Sequence, residues 1–198
     1  MAILDTMYRL LVFAAWLCVQ FPCTAQISIY RSYADLLADA PDELEGYTLK
    51  SIKSQKKNAS LLLEGEAGQA PMTIECEDIW GFRLDSVLFR IEPIYGHPAR
   101  VVLVGEPCFY ENGAAHLKMY LEGTNEEHVV WGAGGYLSDD LNSEMAFVPI
   151  DKYAYGRKET KVFLESRSAY APILRCANGQ LHTYMIRACI KAMWNGDL

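Results

Sequence analysis

A chain of 198 residues with a formal net charge of −7 and an apolar share of 51% is long enough for one domain with a sizeable core and has little room for two. The acidic balance speaks against nucleic acid, whose phosphates are held by clustered Lys and Arg. The one basic cluster, Lys53, Lys56 and Lys57, lies in the polar run KSQKKN and reads as a solvated turn.

The first 25 residues read as a secretory signal. Leu10 to Val19 is an unbroken apolar run behind Arg9, and Cys23-Thr24-Ala25 offers a peptidase small residues before Gln26. Ten residues of helix rise about 15 Å, half of a hydrocarbon core, so the run does not read as an anchor. Neither Cys18 nor Cys23 follows the small residues that lipidation needs. Removing residues 1–25 leaves 173, read as a single β-rich domain over 26–198 with no membrane span and the full charge of −7, because Asp5 and Arg9 cancel.

A short helix is expected from Ser32, which can cap it with Asp35 as capping-box partner, until Pro41. The period then changes to two. Strands are expected at Tyr47–Lys53 and Ala59–Glu64, joined by the basic turn, and Met72, Ile74 and Cys76 alternate with polar neighbours. In Trp80–Ile91 a turn at Asp85-Ser86 sets Leu84 opposite Val87, Phe82 opposite Phe89 and Trp80 opposite Ile91, with Arg83 and Arg90 on the other face. Val101–Val104 reads as a buried strand by composition. Asn112-Gly113 signals a hairpin that sets Phe109 against His116 and Cys108 against Leu117. From Gly123 to Asn142 the pattern loosens, with Gly132-Ala133-Gly134-Gly135 as a flexible turn, and a charged segment follows at Asp151–Lys161. The stripe Leu181, Tyr184, Met185, Ala188, Cys189, Ala192 and Met193 predicts a closing helix, capped by Asn178 and ended by Gly196. The fold class is α+β: an antiparallel meander, curled into a partial barrel or sandwich, with a short N-terminal helix and a packed C-terminal one.

Four cysteines remain after the leader. Cys76, Cys108, Cys176 and Cys189 allow three pairings, and an oxidising compartment favours disulfides. Inward alternation favours 76–108, and a separation of 13 residues onto the helix stripe favours 176–189. No C-x-x-C, H-E-x-x-H, G-x-S-x-G or dinucleotide motif occurs, so no catalytic residue, metal or cofactor is assigned. Asp140, Asn142 and Glu144 are spaced like calcium ligands, but Met145 stands where that loop needs glycine, and a solvated helix start is the better reading. Trp131 and Tyr136, aromatics beside the glycines, are the residue-level hint of ligand binding.

Tyr30-Arg31-Ser32-Tyr33-Ala34-Asp35, Ile79-Trp80-Gly81-Phe82, Leu88-Phe89-Arg90-Ile91 and the stretch from Gly105 to Tyr110 resemble small exported proteins of unknown function from Bacteroidota. The resemblance spans roughly residues 27 to 122. It implies a compartment and no activity, and no functional residue carries over.

Three roles are open to such a chain: a non-enzymatic periplasmic or cell-surface protein that binds a protein or glycan, a calycin-like carrier of an apolar ligand, or a hydrolase with a site built from distant residues. Oligomeric state is not fixed by the sequence. The processing reading predicts that exported material begins at Gln26, which intact-mass measurement checks; a mass that keeps the leader, or carries acyl chains, overturns it.

Overall fold

Alternating apolar residues build the first strand, β1 (Ile27–Tyr30), with Ile27 and Ile29 on one face and buried. The computed structural model describes residues 26–54, 58–66, 68–93, 96–112, 119–121, 127–128, 134–150 and 157–198. The leader, the tip of the basic turn, the Asn112-Gly113 turn beyond Asn112, and Trp131 lie outside them.

Helix α1 (Tyr33–Leu37) starts on the expected capping box: Asp35 N donates to Ser32 Oγ, and Ser32 N donates to Asp35 Oδ2 at 2.7 Å. Strand β1 precedes it, so a strand opens the described chain. The chain continues through β2 (Asp42–Glu43), β3 (Tyr47–Ser54), β4 (Ala59–Gly65) and β5 (Met72–Glu75), then a 3-10 turn at Cys76–Asp78. A meander follows: β6 (Gly81–Leu84), β7 (Val87–Ile91), β8 (Pro98–Leu103) and β9 (Cys108–Asn112). After β10 (Met119–Leu121) and β11 (Glu127–His128) come β12 (Gly134–Ser138) and β13 (Ala146–Pro149).

These strands form two mostly antiparallel sheets in a mixed α+β fold. Eight strands run β13-β12-β9-β8-β7-β6-β1-β2, and five run β11-β10-β3-β4-β5; the larger sheet is open, not a closed barrel. The β6–β7 hairpin has the expected register, Phe82↔Phe89 and Leu84↔Val87, and Asp85 takes the left-handed φ of 52° that its tight turn requires. The second hairpin differs. β9 bonds β8 on one side and β12 on the other, pairing Cys108 with Ser138 and Phe109 with Leu137; Leu117 and His116 lie outside the described residues. β10 joins the smaller sheet instead, parallel to β3.

The expected flexible glycines Gly134 and Gly135 open β12. A Cβ on Gly135 would lie 2.5 Å from Tyr110 O, so close strand contact, and not mobility, selects glycine here. The charged segment holds α2 (Arg157–Glu165), and α3 (Ala171–Ala177) and α4 (Thr183–Asn195) follow. Asn178 ends α3 in a left-handed C-cap, and His182 is the N-cap of α4, a correction to the expected capping by Asn178. Gly196 ends α4 as expected. Its buried face is Ile186, Cys189 and Ile190 with Met193 beside them, turned from the expected stripe, and Tyr184 is 75% exposed.

One row of cross-strand neighbours crosses the larger sheet: Ile29, Phe82, Phe89, Arg100, Glu111, Gly135, Val148. Opposed residues share a face. At one end that face joins Ile52, Leu61, Leu63, Ile74 and Cys76 in a core shared with the smaller sheet. At the other, Phe109, Leu137 and Val148 pack under Phe163, Leu164, Ile173, Ile186, Cys189 and Ile190 of the helices. Phe82 and Phe89 stack at 4.8 Å, both buried, within the first core. Phe82→Ala should therefore cost about 3–5 kcal/mol, read as a lowered denaturant midpoint; an unchanged midpoint overturns a filled core.

Candidate functional site

Of the two aromatics singled out by sequence, Tyr136 is a core residue. It is 4% exposed, sits in β12, and meets Phe147 edge-on at 5.7 Å among Ala99, Cys108, Tyr110 and Met145. Its place in a strand corrects its reading as a loop aromatic. Trp131 lies outside the described residues.

The cysteines divide. Cys176 and Cys189 form a disulfide that ties α3 to α4, with Cα atoms 5.7 Å apart. Cys76 and Cys108 are both buried, as alternation requires, but they are free thiols. Their cores differ: Cys76 belongs to the one shared by the two sheets, Cys108 to the cluster on the opposite face of the larger sheet. The sheet itself stands between them, so the expected 76–108 bridge does not form.

Around Cys108 lies the densest polar cluster. The buried Arg90 donates to Tyr110 Oη at 3.2 Å and to Ser143 O at 2.8 Å, and the hydroxyls of Tyr110 and Ser138 share a hydrogen bond of 2.8 Å. Ser138 Oγ also donates to Asp140 O at 2.5 Å. Nearby, Asp139 accepts from both arms of Arg167 and from Tyr170 Oη at 2.9 Å, and the Arg167 guanidinium holds its carboxyl below the usual range. Asp140 accepts from the backbone N–H groups of Asn142 and Ser143, each at 2.7 Å, a turn and not the expected helix start. Among the described residues no three His, Cys, Asp or Glu side chains are placed to hold a metal.

The groups of this cluster have hydrogen-bond partners. Burial pushes the Cys108 thiol up and the Tyr110 phenol up to about 12, so both are held in their neutral forms. Its evident work is to pin the 139–145 loop across the sheet.

A different place is open. Strand β7 begins at Val87 and β8 runs on to Leu103, yet the ladder between them ends at Phe89↔Arg100. Each strand keeps its outer partner: β7 pairs β6 down to Val87, and β8 pairs β9 as far as Leu103 through a register shift at Val102. A bulge of this kind increases local twist, and here the two strands part. The split is a groove of about 410 Å³ lined by Ser86, Val87 and Leu88 on one lip and Arg100, Val101, Val102 and Val104 on the other.

The run Val101–Val104, expected to be buried, is thus half-buried along the groove, and Val104 is 62% exposed. The sequence signal was present, four apolar residues without alternation, but it carries two meanings. Beside it, the ring of Trp194 lies against Gly105 and its Nε1 donates to Glu106 O at 3.3 Å. At the closed end, Arg100 pairs with Glu111 Oε2, and Arg187 of α4 reaches the other oxygen at 2.6 Å.

Compared with protein-family models, curated proteins and solved structures, the chain matches none.

The buried acids give a pH dependence. Tyr110 and Cys76 are raised by burial to about 12 from usual values of 10.0 and 9.0, and Tyr170 is raised by burial and by Asp139. Stability from a raised group is complete below its unfolded value and is lost as pH climbs through its folded value. The melting temperature should therefore fall steadily from about pH 9 to pH 12; a flat profile across that range overturns the burial of these groups.

Proposed function

We propose that this is an exported, non-enzymatic interaction protein of the periplasm or cell surface, and that it engages a partner through the split between β7 and β8. The observation that carries the reading is the split itself: a mostly apolar groove inside a sheet whose neighbouring ladders continue past it, β8–β9 through a bulge at Val102. Contiguous apolar surface on an otherwise polar exterior is where proteins meet partners. A polypeptide fits better than a glycan, because the lining is mostly valine and leucine and carries no aromatic platform.

Export is supported by the Cys176–Cys189 disulfide, which persists in oxidising compartments, and by the leader-like run of residues 10–19. No helix among the described residues is long and apolar enough to cross a membrane. We also read the two sheets as a sandwich-like pair, supported by the core that they share. The carrier reading finds less support, because Phe82 and Phe89 stack on one another instead of facing a void. The hydrolase reading finds less support, because no G-x-S-x-G or H-E-x-x-H motif occurs in the sequence.

A photo-crosslinking amino acid at Val104, compared with one at the exposed Val162 of α2, tests the interface in exporting cells. A discrete adduct is expected at Val104 alone, competed by added wild-type protein and not by a Ser86→Trp protein whose split is plugged. Equal labelling from both positions, or none from Val104, overturns the proposal.

A further inference from the structure

Beyond that reading, we infer that the outer face of α2, α3 and α4 rests on an anionic lipid surface, with Lys158, Lys161, Arg175 and Lys191 over the headgroups and Val162 and Tyr184 reaching between them. Three observations lead to this partner.

The first is how charge is divided along the chain. Residues 157–198, which contain the three helices, hold seven Lys and Arg against three Asp and Glu, a formal charge of +4. The whole chain carries −7, so residues 1–156 carry −11. A molecule divided in this way has a positive side, and the field of an extended anionic surface turns that side inward although the net charge is negative.

The second is where the cations stand. α2 buries Thr160, Phe163 and Leu164, α3 buries Ile173 and Ala177, and α4 buries Ile186, Cys189 and Ile190. All but Thr160 belong to one core packed on the larger sheet. With about 3.6 residues per turn, Lys158, Arg175 and Lys191 fall on the opposite sides of their helices, and each is exposed. Among the described residues none of these three is paired with a carboxylate. Lys161 meets Glu165 at 3.5 Å, with both groups in solvent. Arg167 and Arg187, by contrast, are taken up by Asp139 and Glu111, acids outside the helices.

The third is the apolar company these cations keep, which chooses lipid over a soluble polyanion. Val162 is four residues from Lys158 and Tyr184 is seven from Lys191, spacings that share a helix face. Their exposures are 55% and 75%. A soluble polyanion would leave both side chains in water. At a bilayer, tyrosine sits at headgroup level, and lysine stems lie along apolar surface while their ammonium groups stay wet. The whole set is accommodated at once.

The test is flotation of the exported protein with phosphatidylcholine vesicles, with and without phosphatidylglycerol. Partition is expected on the mixed vesicles alone. It should be lost between about 0.01 and 1 M salt, where the screening length falls from roughly 30 to 3 Å. Lys191→Glu should lower the partition coefficient about tenfold, Lys158→Glu should repeat that loss from a second helix, and Tyr184→Ser should cost a few-fold. Lys53→Glu makes the same charge change at an exposed position of β3 and should leave partition unchanged. All four positions are exposed and every variant keeps the wild-type amino terminus, so differences among them report on the helical face. No flotation on the mixed vesicles overturns the lipid surface. Equal losses from Lys53→Glu and Lys191→Glu overturn the face and leave only net charge. Retention on heparin that Lys191→Glu abolishes, without flotation on vesicles, assigns the face to a soluble polyanion and overturns the lipid.

Discussion

The eight-stranded sheet has one face longer than any single layer can cover, and Arg100 and Glu111 stand where its two covers meet. To one side of them the face packs against the smaller sheet, to the other against the helices. An apolar pair at that junction would be wetted by both gaps. An ion pair tolerates the water that reaches it, and its outer oxygen is free to take Arg187 and so fix α4 against the sheet. The pairs themselves stabilise little, since partly exposed ion pairs contribute about 0–1 kcal/mol. Their value lies in position: α4 is held at Glu111 by charge and at Cys176 by a disulfide, through residues two positions apart in one helix.

That double constraint explains why the closing helix was legible in the sequence but its buried face was not. Periodicity locates a helix and its caps, and Gly196 was a clear stop. It does not say which of two adjacent stripes wins when both carry apolar residues. Leu181, Met185, Cys189 and Met193 are common to both; Tyr184, Ala188 and Ala192 extend one edge, and Ile186 and Ile190 the other. The bridge at Cys189 and the reach of Arg187 select the second and leave Tyr184 in solvent. Helix α2 was hidden for a related reason: six of its nine residues are polar or charged, and only Thr160, Phe163 and Leu164 face inward.

Local rules worked where the information was local. The Ser32–Asp35 box and the Phe82↔Phe89 register follow from residues a few positions apart, and both are present. Alternation likewise placed Cys76 and Cys108 inward. Inward, though, has two meanings in a sheet with packing on both faces, and only the long-range strand order reveals that the two thiols point to opposite sides. The partners expected for Cys108 and Phe109 were missed at the same level: β9 has strands on both edges, one of them more than twenty residues further on. The candidate site depended on such order too. Four consecutive apolar residues at Val101–Val104 describe a buried strand or the wall of a groove equally well, and the choice is made by where β7 and β8 cease to pair.

An unformed ladder inside a sheet is costly, because backbone N–H and C=O groups lose partners and apolar side chains lose cover. The same sheet takes care of its outer edges. β13 is closed by α2, with Thr160 Oγ1 donating to Phe147 O at 2.7 Å and Glu159 accepting from Phe147 N at 3.2 Å, while the opposite edge is the two-residue acidic strand β2. The buried polar cluster around Arg90 is equally well satisfied and pins a loop. The larger sheet closes one border with a helix and ends the other in a short acidic strand, yet keeps an opening between two interior strands. Packing alone supplies no reason for that opening, since continued pairing of Val87 and Leu88 with the end of β8 would bury more surface and satisfy more backbone. Function is sought there, and not in the polar cluster, because the split is the feature of this fold that stability does not explain.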